Sequence, residues 1–237
     1  MLSIIIPTLN EEKNLFIILS CIAKEKIKNL EIIVADAGSK DKTIEIAKQF
    51  DCVITDGGLP ACGRNKGAKI AKGDILLFLD ADLLLSQDFI KKSLKTFKEE
   101  RLAIASFPIY PQKNNIYLNP LTMNLIYNYP QRILERIFPL GAMGIMVRKD
   151  VYEKVKGFDE TIKLAEDHCF VQDCANLGKF GTIECASVYM PTRRFEKDGY
   201  FRTGIKYLLC SLHMIFIGPV RSDILKYTFD YEDNKKK

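Results

Sequence analysis

Asp80 and Asp82 stand one residue apart at the end of the apolar run ILLFL, residues 75–79. Two carboxylates so close repel each other, and burying them side by side is costly. The spacing makes chemical sense if a cation lies between them. Oxygen donors in this arrangement suit a hard divalent ion, Mn²⁺ or Mg²⁺, which typically takes one or two carboxylates and completes its shell from substrate phosphates and water. The small Ala81 lets the loop turn without crowding such an ion.

The surrounding pattern places these acids on a rim. LSIIIP (2–7), EIIVAD (31–36), CVIT (52–55) and DILLFLD (74–80) read as buried strands. Between them fall helical stretches. The first is capped by Asn10 and carries Leu15, Ile18, Leu19 and Ile22 on its apolar face. DKTIEIAKQF follows from Asp41, then ACGRNKGAKIAKG (61–73) ending at Gly73, then QDFIKKSLKTFKEE capped by Ser86. Strand and helix alternating with short connections imply an α/β chain with a mostly parallel sheet covered by helices and right-handed crossovers. Ligands of such sheets lie beyond the carboxyl ends of the strands. The groups delivered there are residues 7–11, 36–39 and 80–82.

The second half reads as a strand at LAIASFPIY (102–110), a helical segment at 119–138 broken at Pro130, a strand and helix at 141–160, and a helix and strand from Ala165 to Met190. From Asp198 the chain is helical and mixes basic with apolar residues. The 237 residues, 47% hydrophobic and 27% charged, suffice for one sizeable core, and no linker or repeat interrupts them. Seven cysteines without a CxxC pair read as reduced thiols of a cytoplasmic protein. MLSIIIPTLNEE has neither the basic region nor the cleavage site of a signal peptide, and no run reaches the ~18–20 apolar residues of a membrane span. The first strand lacks GxGxxG and no GxxxxGK[ST] occurs, which argues against dinucleotide and P-loop enzymes.

In order and spacing, SIIIPTLNEEKNL, EIIVADAGSKDKT, GRNKGAKIAKGDILLFLDAD, GFDE and AED resemble the family 2 glycosyltransferases of the GT-A fold, over residues 2 to about 180. The resemblance implies a Rossmann-like, mostly parallel sheet with a C-terminal helical extension. It also implies inverting transfer of a sugar from a nucleotide-sugar donor, with a divalent cation on the diphosphate. By that likeness Pro7, Thr8, Asn10 and Glu11 form the first nucleotide loop, and Asp36, with Gly38 and Ser39, meets the base or ribose. Arg64 contacts base or phosphate, Asp80 contacts ribose or metal beside Ala81, and Asp82 is the direct metal ligand. Asp167 is the base that takes the acceptor proton, with Glu166 its neighbour. Arg193 and Arg194 reach the diphosphate or an anionic acceptor, and His168 or His213 offers a third metal ligand.

On this reading residues 1–196 form the GT-A domain, with 1–100 the nucleotide-sugar half and 101–196 the acceptor half, and 197–237 form an amphipathic helical tail. Lys197, Arg202, Lys206, Arg221 and Lys226 surround YLLCSLHMIFIGPV, so residues 197–226 suit either a peripheral membrane contact or packing on the core or a second subunit. A net charge of +5 permits an anionic partner such as a nucleotide or lipid headgroup; no nucleic acid partner is expected. The expected acceptor is a saccharide or lipid-linked saccharide, and the expected location is the cytoplasm or the inner face of the cell membrane. Two alternatives remain: a catalytically inactive sugar-nucleotide-binding or partner-binding protein on the same scaffold, and a nucleotidyltransferase. The intact acids argue against the first, and the absence of glycine in TLNEEKN against the second.

Overall fold

The computed structural model describes residues 1–221. Its first half alternates strand and helix: β1 (Leu2–Thr8), α1 (Glu12–Lys24), β2 (Leu30–Asp36), α2 (Thr43–Gln49), β3 (Val53–Asp56), α3 (Pro60–Ile70), β4 (Ile75–Leu79), β5 (Leu84–Leu85) and α4 (Phe89–Glu99). Next come β6 (Ile104–Ser106), β7 (Ile109–Pro111), α5 (Pro120–Met123), a π-helical turn at Asn124–Asn128 and α6 (Tyr129–Leu134). The chain continues through β8 (Gly144–Arg148), α7 (Lys149–Val155), α8 (Glu166–Ala175), β9 (Phe180–Thr182), β10 (Val188–Met190), α9 (Arg193–Asp198) and α10 (Tyr200–Phe216).

Among the described residues the main sheet has the order β3-β2-β1-β4-β8-β6-β9. β3, β2, β1 and β4 run parallel, β8 is antiparallel to both neighbours, and β6 and β9 are parallel. β1 is buried along its whole length, as its unbroken apolar run requires of a central strand covered on both faces. Leu15, Ile18, Leu19 and Ile22 of α1 pack on one face of the sheet, in the cluster that holds Ile4, Ile6 and Leu77. The alternating residues Ile5, Leu76 and Phe78 face the other side, with Ala68 of α3 and Phe158, Phe170 and Val171.

Registers align the rim. Thr8 lies opposite Asp36, and Asp36 opposite Asp56. β1 pairs with β4 from Leu2↔Ile75 to Ile5↔Phe78, which carries Asp80 to the level of Pro7. A second sheet has the strand order β5-β10-β7. Antiparallel pairing of Leu84 with Tyr189 brings the loop holding Asp82 alongside the chain that leads into Arg193.

Several local expectations are corrected. Asn10 does not cap α1: its φ is 54°, and its Oδ1 accepts the Lys40 N–H at 2.8 Å. Ser86 does not cap α4. Its Oγ accepts from Ser187 N, while Glu25, at the end of α1, accepts the Ile90 and Lys91 N–H groups at 3.0 Å. α3 stops at Ile70, three residues before Gly73, whose added Cβ would lie 2.6 Å from Ser3 Oγ; a close approach to β1, not a helix cap, requires that glycine. LAIASFPIY divides into β6 and β7, which join different sheets. The break at Pro130 takes the form of the π turn ahead of α6, where Tyr129 N donates to Asn124 O. The stretch from Ala165 to Met190 makes two strands, β9 and β10, after its helix. All seven cysteines are free thiols; Cys174 and Cys210 are buried and Cys185 is exposed.

Gly67 sets how closely α3 approaches the sheet. A Cβ there would stand 2.4 Å from Ile5 Cγ2 on the fully buried centre of β1. Gly67→Ala should therefore destabilise the fold by about 1–3 kcal/mol, through overpacking against a strand that cannot retreat. Urea unfolding should show a lower midpoint at unchanged slope.

Candidate active site

The first loop is held by Asp36. Its Oδ1 accepts from Thr8 Oγ1 at 3.0 Å and from Ser39 Oγ, and its Oδ2 accepts the Gly38 and Ser39 N–H groups at 2.9 and 2.8 Å. Gly38 has a φ of 91°, a conformation that favours glycine. Asn10 N donates to the same Ser39 Oγ at 2.8 Å, and Glu11 N to Thr43 Oγ1 at 2.9 Å. The loops after β1 and β2 are thus one hydrogen-bonded unit, and Asp36 orders it before any ligand arrives.

Arg64 lies at the centre of the site. It is buried in α3, its Nη2 donates to Asp80 Oδ1 at 2.8 Å, and its Nη1 donates to Glu166 Oε1 at 2.8 Å. The guanidinium sits 5.3 Å from the centroid of the Phe158 ring. Burial alone would lower the pKa of Arg64; the charges of Asp80, Glu166 and Asp167 outweigh it and hold the pKa above its ordinary value. Both terminal nitrogens are committed to carboxylates, so a phosphate or base contact by Arg64 would have to displace one of them. The next residue completes the arrangement. Asn65 donates to Phe158 O and to Glu160 Oε1 at 2.8 Å, and accepts from Phe158 N and Tyr152 Oη at 2.9 Å. This clamps the GFDE loop onto α3.

Asp82 is half-buried, and its Oδ2 accepts from Arg193 Nη2 at 2.8 Å. Arg193 also reaches Glu11 Oε1 at 3.5 Å, and Gln112 Nε2 donates to Asp82 O at 2.7 Å. Burial and the charge of Asp80 push the Asp82 carboxyl up to about 7, against the pull of Arg193. The two neighbouring acids therefore each have an arginine partner within the chain, and their proximity does not by itself demand a metal. Arg194 is directed elsewhere, to a hydrogen bond with the Tyr207 hydroxyl.

Glu166 and Asp167 open α8, behind Ala165 at a φ of 60°. A left-handed non-glycine residue at this point is a small store of strain, of the kind found beside functional groups. Burial and the adjacent Asp167 raise the pKa of Glu166. Burial pushes Asp167 up to about 6, against the pull of Arg64, and its Oδ1 accepts the His168 N–H at 2.8 Å. His168 is held neutral by burial, at about 4, and its Nδ1 accepts the Gly141 N–H at 3.3 Å. The other histidine, His213, lies 2.9 Å from Gly218 O through its Nδ1. Neither histidine joins a cluster with the aspartates: among the described residues no group of three or more His, Cys, Asp or Glu could hold a metal ion. What the chain offers a cation is two carboxylates with oxygen donors only. That set fits Mn²⁺ or Mg²⁺ shared with a diphosphate and does not fit an all-protein cage.

Residues 3–156 match the profile of Glycosyl transferase family 2. The chain belongs to that family. It is 29% identical over 181 residues to an uncharacterised glycosyltransferase of Haemophilus influenzae, covering 72% of this chain and 60% of that relative. It is 27% identical over 230 residues to the O-antigen chain rhamnosyltransferase RfbN of Salmonella typhimurium, covering 86% of this chain and 71% of RfbN. Among solved structures, Staphylococcus aureus TarS 1–349 in complex with UDP superposes with a TM-score of 0.65 at 20% identity, over 80% of this chain and 60% of TarS 1–349. The mannosyltransferase PcManGT from Pyrobaculum calidifontis, in complex with GDP-Man and Mn²⁺, gives 0.64 at 19% identity, over 80% of this chain and 56% of PcManGT. The shared fold is GT-A. The chain spans 60% of the length of the Haemophilus relative.

Within this family 2 chain the structure brings together Glu11, Arg64, Asp80, Asp82, Glu166, Asp167 and Arg193, and places Pro7, Thr8, Asn10, Asp36, Gly38, Ser39 and Ala81 on the adjoining rim. Three contributors escape a reading of the sequence. Gln112 and Tyr127 carry no motif signal, and Phe158 lies within GFDE but only its packing under Arg64 reveals its part. Tyr127 sits in the π turn with its hydroxyl buried and without a hydrogen-bond partner, and burial and the charge of Asp167 raise its pKa.

Removing the Arg64 charge should be severe. Arg64→Met leaves Asp80 and Glu166 facing each other unpaired and should cost about 3–5 kcal/mol in urea unfolding. Arg64→Lys should recover only part, because one ammonium cannot reproduce the fork that spans both acids. The raised acids also set a pH dependence. Asp167 and Asp82 rise from 3.8 to about 6 and about 7 on folding. The folded chain then holds more protons than the unfolded one between those limits. Their contribution to stability is fully present below the unfolded value of 3.8 and is lost as pH rises through about 6 and about 7. Unfolding in metal-free buffer across that range should follow this sign, and Asp167→Asn should flatten the slope.

Proposed function

We propose that this chain is an inverting glycosyltransferase that moves a sugar from a nucleotide-sugar donor to a hydroxyl of a saccharide or lipid-linked acceptor. The observation that carries the reading is the Arg64 bridge. It ties Asp80, on the donor rim, to Glu166, next to the half-buried and hydrogen-bonded Asp167. A carboxylate titrating near 6 is ionised at neutral pH yet basic enough to take a proton from an attacking hydroxyl.

In the proposed transfer, the bond from the acceptor oxygen to the anomeric carbon forms as the bond from that carbon to the diphosphate oxygen breaks, on the opposite face. The acceptor proton passes to Asp167, and the electron pair of the broken bond leaves with the nucleoside diphosphate. Glu166 and Arg64 hold the charge balance around Asp167. Asp82 and Asp80 would hold a divalent cation. Bound there, Mn²⁺ or Mg²⁺ would offset the negative charge on the departing diphosphate. Arg193 stands on Asp82 and Glu11, and in this reading it would turn its charge toward the diphosphate. Thr8, Asn10, Gly38 and Ser39, ordered by Asp36, line the rim where the nucleoside would lie.

A UDP-sugar is the favoured donor. A UDP complex is known for TarS, while PcManGT was solved with GDP-Man, so the base is a matter for measurement. A thermal-shift panel of UDP-, GDP- and dTDP-sugars with Mn²⁺ should raise the melting temperature for one base class. With that donor, Mn²⁺-dependent release of nucleoside diphosphate should appear. Asp167→Asn should lower turnover by about 10²-fold or more while the donor-induced thermal shift persists. Retention of turnover in Asp167→Asn would remove Asp167 from the base role. A donor shift with no release from any acceptor preparation would favour the sugar-nucleotide-binding alternative.

A further inference from the structure

α10 carries its apolar surface outward. Thr203 and Cys210 are buried, one face of two turns, whereas Phe201, Ile205, Leu208 and Leu212 recur at helical spacing and are exposed, Phe201 by 83%. An ordinary surface helix does the reverse. The arm formed by α5, the π turn and α6 shows the same inversion. Leu121, Leu125, Tyr129, Ile133 and Ile137 recur every four residues and are exposed, Ile133 by 77% and Ile137 by 83%. The two segments are joined: Asn115 donates to the Tyr200 hydroxyl at 2.6 Å, and the Tyr117 and Tyr200 rings lie 5.6 Å apart.

Charge selects the occupant. Residues 113–138 and 200–217 hold five Lys or Arg (Lys113, Arg132, Arg136, Arg202 and Lys206) against one acid, Glu135. Two such faces in a symmetric dimer would repel each other, whereas an anionic bilayer supplies both the apolar interior and the counter-charge. Among the described residues no helix is long and apolar enough to cross a membrane, so the contact would lie in the interface plane.

We propose that the α5–α6 arm and α10 form one platform that docks on an anionic lipid surface. This differs from the contact expected over 197–226. It adds residues 113–138, and it excludes Arg221, which is bound to Asp159 and Thr161; Lys226 lies outside the described residues. The platform adjoins the proposed acceptor side. Tyr127 of the π turn and Tyr207 and Cys210 of α10 all lie within the electrostatic reach of Asp167. Docking would therefore set Asp167 and the proposed acceptor side near headgroup level. The docking itself does not depend on the transferase reading.

Flotation of the full chain with vesicles of phosphatidylcholine alone, or with 30 mol% phosphatidylglycerol, tests it. Binding should be confined largely to the anionic vesicles and should weaken as salt rises. Ile133→Asp and Leu208→Asp should each weaken binding by about tenfold or more, and Arg202→Glu by severalfold. The substituted side chains are exposed, so melting temperatures and any donor-induced shift should hold. The proposal is overturned if the wild type fails to float with anionic vesicles, if the three variants float like the wild type, or if sedimentation shows a lipid-free dimer that Leu208→Asp dissociates.

Discussion

One buried guanidinium organises this molecule's chemistry. Arg64 joins two carboxylates that the chain separates widely, Asp80 just past β4 and Glu166 on α8. Desolvating three charges is costly, and it is tolerated because each acid receives a direct, well-directed hydrogen bond and the cation rests against the Phe158 ring. If Arg64 were lost, the two acids would confront each other in a low-dielectric pocket. The fold therefore depends on the contacts that put α3 in place: Gly67 against Ile5, and Asn65 clamping the loop at Phe158.

A second arginine answers the other half of the paired-aspartate problem. Arg193 spans Asp82 and Glu11, and it arrives there because β5 and β10 pair antiparallel. The chain thus carries its own counter-charges for both members of the DxD. This changes the meaning of the motif: each acid has a counter-charge within the chain, and a cation binding there would compete with, or redirect, an internal arginine. Burial first, and the neighbouring charge of Asp80 after it, raise the carboxyl pKa values at Asp82 and Asp167. Acidic residues gathered at one rim lower stability as they ionise, and that cost is borne where anionic substrate chemistry would need fixed charges.

The helices beyond the sheet present the opposite imbalance, apolar where water would be. The outward stripe on α10 is built from residues that, read as a string, look like any amphipathic helix. Only the burial of Thr203 and Cys210 reveals which face is turned in. Residues of α10 and the π turn lie within the electrostatic reach of Asp167, so the proposed chemistry and the proposed docking would use the same elements.

Much was legible in the sequence because it is local. Unbroken apolar runs marked β1, β2 and β4, and periodicity marked the buried face of α1. The polar residues just past those strands had to fall on one rim, and five motifs in order led to family 2. Helix ends were less legible. Asn10 and Ser86 have the right chemistry for caps, yet their oxygens are taken by Lys40 and Ser187, and Glu25 caps α4 from a different helix. Whether a cap residue caps depends on what else comes within reach, and that is decided by packing. The same holds for Arg64, Arg193 and the outward face of α10. Their residue types were plain, but partners and orientation depend on registers and distances between segments up to 182 residues apart, which no local pattern encodes. Composition and spacing determined which groups stand at the rim; tertiary contact alone decided which of them share a charge.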